Sequence, residues 1–161
     1  MKLIRADKIT IPMLSGFAKE VFVDYYKDLI GIEQSVYMTG LFLSEKAIGD
    51  LMDQGAVFVL AIEDDRPAGF CEYISEGSRL FLSKLYVEKT RRGKGTGKLL
   101  FLNCLEYAKK NGHESIYLTV NKYNTPSYEV YLHLGFKVID AVVNDIGNGY
   151  VMDDYIMEYT L

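Results

Sequence analysis

The residues most able to do chemistry lie in one short segment. Arg91-Arg92-Gly93-Lys94-Gly95-Thr96-Gly97 follows the strand-like run Leu85-Tyr86-Val87 and leads through Lys98 into LLFLNCLEYAKKNG (99–112), which has helical spacing. Glycines admit close approach to the backbone, and a helix N-terminus offers unpaired N–H groups with a favourable dipole. This combination is an anion cradle, for which three motifs compete. A Walker A loop requires glycine five residues before the Gly-Lys pair and Ser or Thr after it, but Arg92 and Leu99 occupy those places. A dinucleotide GxGxxG fails at Lys98, where its third glycine should stand, and no parallel βαβ half follows. The spacing that fits is (Arg/Gln)-x-x-Gly-x-(Gly/Ala), at Arg92, Gly95 and Gly97.

With a strand before it and a helix after it, this signature resembles that of the GNAT superfamily of N-acetyltransferases. The resemblance continues in NTPSYEVYLHLGF (124–136), where Asn124, the small residue Ser127 and Tyr131 fall on the family's second motif. Asn124 and Tyr131 are seven residues apart, two helical turns, so one groove can receive both. A core role for Tyr131 is the competing reading in a chain with 13 tyrosines. The family implies a mixed α/β fold with a mostly antiparallel sheet of about seven strands flanked by helices, and acetyl-CoA in the splay between the fourth and fifth strands. It implies that Arg92, Gly93, Lys94, Gly95, Thr96, Gly97 and Lys98 hold the pyrophosphate. Leu85, Tyr86 and Val87 then bind through the main chain, and Asn124 and Ser127 flank the pantetheine arm. The terminal Met152-Asp153-Asp154-Tyr155-Ile156-Met157-Glu158 run also agrees with the family.

Direct transfer from a thioester needs a neutral amine. An alkylammonium has a pKa of about 10.4, so freeing the amine costs roughly 4 to 5 kcal/mol at neutral pH. The departing thiolate, with a thiol pKa near 8.5, is helped by a proton donor, and Tyr131 is the candidate general acid. No acyl-enzyme is required, so Cys71 and Cys104 need not act as nucleophiles. Many relatives carry a carboxylate on the strand before the pyrophosphate loop, but no Asp or Glu lies between Arg79 and Val87. A water relay, or Glu72 on the neighbouring strand, is the fallback, although an alternating strand can point Glu72 to solvent.

The elements that must position these groups follow from periodicity. Residues 2–6 read as a strand, Thr10 to Leu29 as a helix ended by Gly31, and 33–54 as helical in two pieces, the second capped by Ser44 and followed by Gly55. Strands are expected at 56–63 and 68–75, joined by a polar turn at Asp64-Asp65-Arg66-Pro67, and at 79–87 and 115–120. Thr125 as cap and Pro126 as first helical residue open a short helix to Leu134. Two strands, 136–143 and roughly 155–161, close the chain without an unambiguous exposed apolar face. No repeat or linker divides residues 1–161, which read as one domain.

Composition narrows the partners. The 161 residues carry 18 basic and 22 acidic side chains, a net charge of −4, which disfavours nucleic acid and anionic membrane. A small amine or polyamine suits that field. Cys71 and Cys104 read as buried reduced thiols and His113 and His133 as isolated surface imidazoles, so no metal site is expected. No signal peptide or membrane span is apparent, and the expected location is cytoplasmic. Asp24, Glu33, Asp145, Asp153 and Asp154 come from the segments that set acceptor choice in the family. The run Val21-Phe22-Val23-Asp24-Tyr25-Tyr26 is similar to bacterial PaiA-type spermidine/spermine acetyltransferases. A protein N-terminal or lysine acetyltransferase, and a CoA-binding regulatory module without transfer chemistry, are the alternatives. A homodimer is a weaker expectation.

Overall fold

The computed structural model describes residues 1–161. Its elements in chain order are β1 (Lys2–Arg5), α1 (Ile11–Ile30), α2 (Ile32–Phe42), α3 (Glu45–Asp53), β2 (Val57–Glu63), β3 (Arg66–Glu76), β4 (Arg79–Val87), α4 (Thr96–Lys110), β5 (Ser115–Asn121), α5 (Thr125–Leu134), β6 (Lys137–Gly147) and β7 (Tyr150–Thr160). The seven strands form one sheet in the order β1-β2-β3-β4-β5-β7-β6. Every neighbouring pair is antiparallel except β4 and β5. This is the mixed α/β fold the sequence implied. No helix is long and apolar enough to cross a membrane.

The sheet has an apolar layer on each face. On one, Leu100, Phe101, Cys104 and Ala108 of α4 pack with Val59, Cys71, Leu82, Leu118 and Met157. On the other, Leu14, Ala18 and Phe22 of α1 and Ile48 of α3 pack with Phe58, Leu60 and Phe70. In α1 the buried Ile11, Leu14, Ala18, Val21 and Phe22 recur at helical spacing. Ser44 caps α3 by accepting from the Ala47 amide at 3.1 Å. Strand alternation sends neighbours to opposite layers: Phe70 joins the α1 side and Cys71 the α4 side.

Several boundaries differ from expectation. The β2–β3 turn is Asp64-Asp65 alone, with φ of 53° and 60°, a geometry suited to a two-residue hairpin. Arg66 and Pro67 already belong to β3, with Pro67 beside a register shift between Ala61 and Ile62, where a missing N–H is tolerated. α4 begins at Thr96 behind Gly95, so Thr96, Gly97 and Lys98 form its first turn instead of loop. Asn124, not Thr125, caps α5, which puts Pro126 at the second helical position. The last two strands are 11 residues each and meet at a tight turn. Their polar residues hide that length, but β7 pairs on both sides and its backbone ladders override weak propensity. β6 leaves Val138, Ile139 and Val143 exposed, apolar surface the sequence did not show. His113 is buried, not superficial, and bonds Ser75 Oγ at 2.9 Å.

Candidate active site

β4 and β5 pair only at Arg79–Ser115, Leu80–Ile116 and Phe81–Tyr117. Beyond those three positions the strands separate, and the opening is part of a cleft of about 800 Å³. Its walls come from α1, the end of β4, the glycine loop with the start of α4, and α5. Leu85, Tyr86, Val87, Arg92, Gly93, Gly95, Thr96, Gly97, Lys98, Asn124, Ser127 and Tyr131 all line it. Of the residues singled out for cofactor binding, Lys94 alone does not.

The loop has the geometry of an anion site. Gly93 and Gly95 adopt φ of 77° and 86°, which a side chain would strain. The first-turn amides of α4 have no helical acceptor in front of them; the first closing bond runs from the Leu99 amide to the Gly95 carbonyl. Thr96 Oγ1 is sealed from solvent and has no partner. Arg92 is held in place, with Nε donating to the Val87 carbonyl at 3.0 Å and the guanidinium 5.0 Å over the Tyr25 ring. Lys27, Lys89, Arg91 and Lys98 add positive charge to the cleft against Asp24 and Asp28. Arg91 is also paired with Glu63 at 2.9 Å. These features fit a pyrophosphate and, behind it, a CoA-type co-substrate.

α1 supplies the wall that sequence reasoning missed. Tyr25 Oη donates to Asn124 Oδ1 at 2.7 Å and lies 2.6 Å from Ser127 Oγ. One phenol thus ties α1 to the start of α5. The Asn124 carbonyl oxygen also caps α5 by accepting from the Ser127 amide at 3.3 Å, so its NH₂ group is what remains for a ligand. The signal was the Tyr25-Tyr26 pair on an otherwise apolar helical face, since buried phenols need partners. Tyr86 Oη donates to Tyr26 Oη at 3.3 Å, and burial pushes the Tyr26 phenol up to about 12. Tyr131 packs on Phe136, and its hydroxyl makes no hydrogen bond within the protein. Burial raises its pKa above the ordinary phenol value, so it stays protonated at neutral pH, as a proton donor must.

Glu72 is neither in solvent nor in the cleft. It is 1% exposed and ion-paired with Lys84 at 2.6 Å. The bulge after Glu72 keeps both side chains on the α1 face of the sheet, where Lys84 sits 5.8 Å over the Phe42 ring. Cys71 and Cys104 are free and buried, and burial raises both thiols, Cys104 to about 12. Neither is poised as a nucleophile.

Residues 20–136 match the model of the acetyltransferase (GNAT) family. The chain belongs to this family, that of acetyl-CoA-dependent N-acetyltransferases. It is 28% identical over 107 residues to the peptidyl-lysine N-acetyltransferase YjaB of Salmonella typhimurium, covering 66% of this chain and 68% of that one. Among solved structures, the PaiA N-acetyltransferase from Thermoplasma acidophilum in complex with coenzyme A superposes with a TM-score of 0.84 at 23% identity, covering 100% of both chains. Ribosomal-protein-alanine N-acetyltransferase from Brucella melitensis gives 0.71 at 16% identity, again over 100% of both.

Proposed function

We propose that this protein transfers the acetyl group of acetyl-CoA to the primary amine of a small cationic acceptor of the polyamine type. The observation that carries the reading is the cleft where β4 and β5 part, with the glycine loop at its rim and Tyr131 in its wall. In this reading the amides of Gly93 to Thr96 and the Arg92 guanidinium hold the pyrophosphate. The end of β4, Leu85 to Val87, pairs with β3 but not with β5; its free edge lies along pantetheine, and the Asn124 NH₂ group bonds that arm. The bound thioester supplies the electrophilic carbonyl. Tyr131 then stabilises the departing sulfur. Because its phenol is less acidic than a thiol, it acts mainly as a hydrogen-bond donor that completes proton transfer as negative charge builds on sulfur. Asp28 on the cleft wall and the net charge of −4 favour a cationic acceptor, Asp24 being paired with Lys27 at 3.3 Å. The buried free thiols Cys71 and Cys104 accord with a cytoplasmic location.

A lysine side chain is the second reading, favoured by the likeness to the Salmonella peptidyl-lysine enzyme. The test is CoA thiol release from acetyl-CoA with spermidine, spermine, a short diamine, a lysine peptide and no acceptor. Faster turnover of the polyamines supports the first reading, and faster turnover of the peptide supports the second. Silence with acetyl-CoA still bound overturns both in favour of a different acceptor or a binding module.

A further inference from the structure

β4 carries no carboxylate, but β7 carries two adjacent ones, Asp153 and Asp154, and the structure distinguishes them. Asp154 lies in β7, opposite Asn121 at the last position of β5, just before the segment that reaches Asn124. Its neighbours Tyr155 and Met157 face the α4 layer, whereas Met152 faces the α1 layer. Alternation therefore directs Asp154 to the α1 side. There its charge is near enough to Tyr26 to oppose ionisation of that phenol, and Tyr26 is bonded to Tyr86, which lines the cleft although Asp154 itself does not. Asp154 is 4% exposed, yet no hydrogen bond or ion pair within the protein reaches its carboxylate. Its neighbour Asp153 takes the available cation, Lys122, at 2.7 Å.

A buried carboxylate without a partner is costly and is retained where a ligand supplies the missing charge. We propose that Asp154 receives the ammonium of the acceptor and removes its first proton, an assignment that rests on the amine-acetylation reading above. Of the three protons of R–NH₃⁺, one passes to the Asp154 carboxylate, freeing the nitrogen lone pair to form the C–N bond. A second leaves nitrogen as the C–S bond breaks, with the sulfur taking the Tyr131 proton and the phenol regaining one. The third stays on the amide, and Asp154 returns its proton to water. Burial and the adjacent Asp153 raise the Asp154 carboxyl to about 6, with Lys122 opposing them. This is a suitable range for a base working near neutrality. Tyr26 from α1 is a further titratable group coupled to it.

The test compares wild type with Asp154→Asn, using the same amine panel for turnover and for binding in the presence of CoA. The expected result is a loss of about 10²-fold or more in kcat/KM for the amine, with CoA affinity unchanged. The acid limb of the wild-type pH profile, near 6, should disappear in the variant. Amine binding should weaken by about tenfold or more, as for loss of a charge-assisted contact. Equal kcat/KM in the two proteins would overturn the role of Asp154 and leave the acetyltransferase reading intact. Should wild type turn over no amine, binding decides: selective loss in the variant supports the ammonium site, and equal or absent binding overturns it.

Discussion

In the proposed mechanism Tyr131 and Asp154 act on opposite sides of the same chemical problem, one assisting the leaving sulfur and the other the incoming nitrogen. Substituting Tyr131→Phe removes a hydroxyl that bonds nothing else in the protein, so folding and CoA affinity should hold while kcat falls by about 10²-fold. Single-turnover kinetics beside CoA calorimetry separates these effects, and an unchanged kcat would remove the residue from the mechanism. Asp154 makes the opposite demand on stability. Its carboxyl, ordinarily near 3.8, is raised to about 6 in the native state. Between those values the folded protein holds the proton more tightly than the unfolded chain, so stability declines as pH rises through that window, and the whole penalty persists above it. A shift of that size corresponds to about 3 kcal/mol, reduced to roughly 1 to 2 by solvent screening. Asp154→Asn should therefore be more stable than wild type at pH 8, with the difference shrinking towards pH 4. Denaturant unfolding at both values checks this.

At the level of elements, the cleft wall depends on a glycine far from any motif. A Cβ on Gly69 of β3 would come within 2.7 Å of the Tyr86 carbonyl oxygen, 3.3 Å of Leu100 and 3.4 Å of Thr96. Gly69→Ala must push apart the end of β4 and the start of α4, costing about 1 to 3 kcal/mol. The melting temperature should fall by roughly 3 to 10 °C, with weaker CoA binding; an unshifted transition would show that β4 yields freely. Gly69 is invisible in sequence because its role is a contact between strands, whereas Gly93 and Gly95 announce themselves through spacing with Arg92. The same contrast governs the rest of the site. The loop, Asn124 and Tyr131 are local in the chain and readable from it. The Tyr25 clamp to α5 spans 99 residues to Asn124, and the orientation of Asp154 depends on which layer β7 turns towards each helix. Alternation leaves Glu72 free to act as a base or to point to solvent, because it does not reveal that α1 and α2 cover that face and that Lys84 pairs with it.

At the scale of the molecule, the sheet consists of two units, β1 to β4 and β5 to β7, joined by three parallel pairs. The helices compensate for this narrow seam: α4 covers it from one face, and Tyr25 bridges α1 to α5 on the other. On the proposed reading, an acidic chain with a basic loop at its cleft divides its field between an anionic co-substrate and a cationic acceptor, so salt should weaken capture of both.

The seam also leaves, in the middle of a sheet, two stretches of backbone that are paired on their outer edges but have no strand between them. From Leu82 to Val87 on one side and Leu118 to Asn121 on the other, peptide groups face each other across a gap, and such groups seek partners. A ligand bearing amides of its own can lie there as an eighth strand. Hydrogen–deuterium exchange would record the event: amides flanking the gap should exchange readily in the free protein and slow on addition of CoA, while those of β1 and β2 keep their rates. In the proposed reading the substrate would finish the sheet, adding a second seam beyond the three parallel pairs that already hold its halves together.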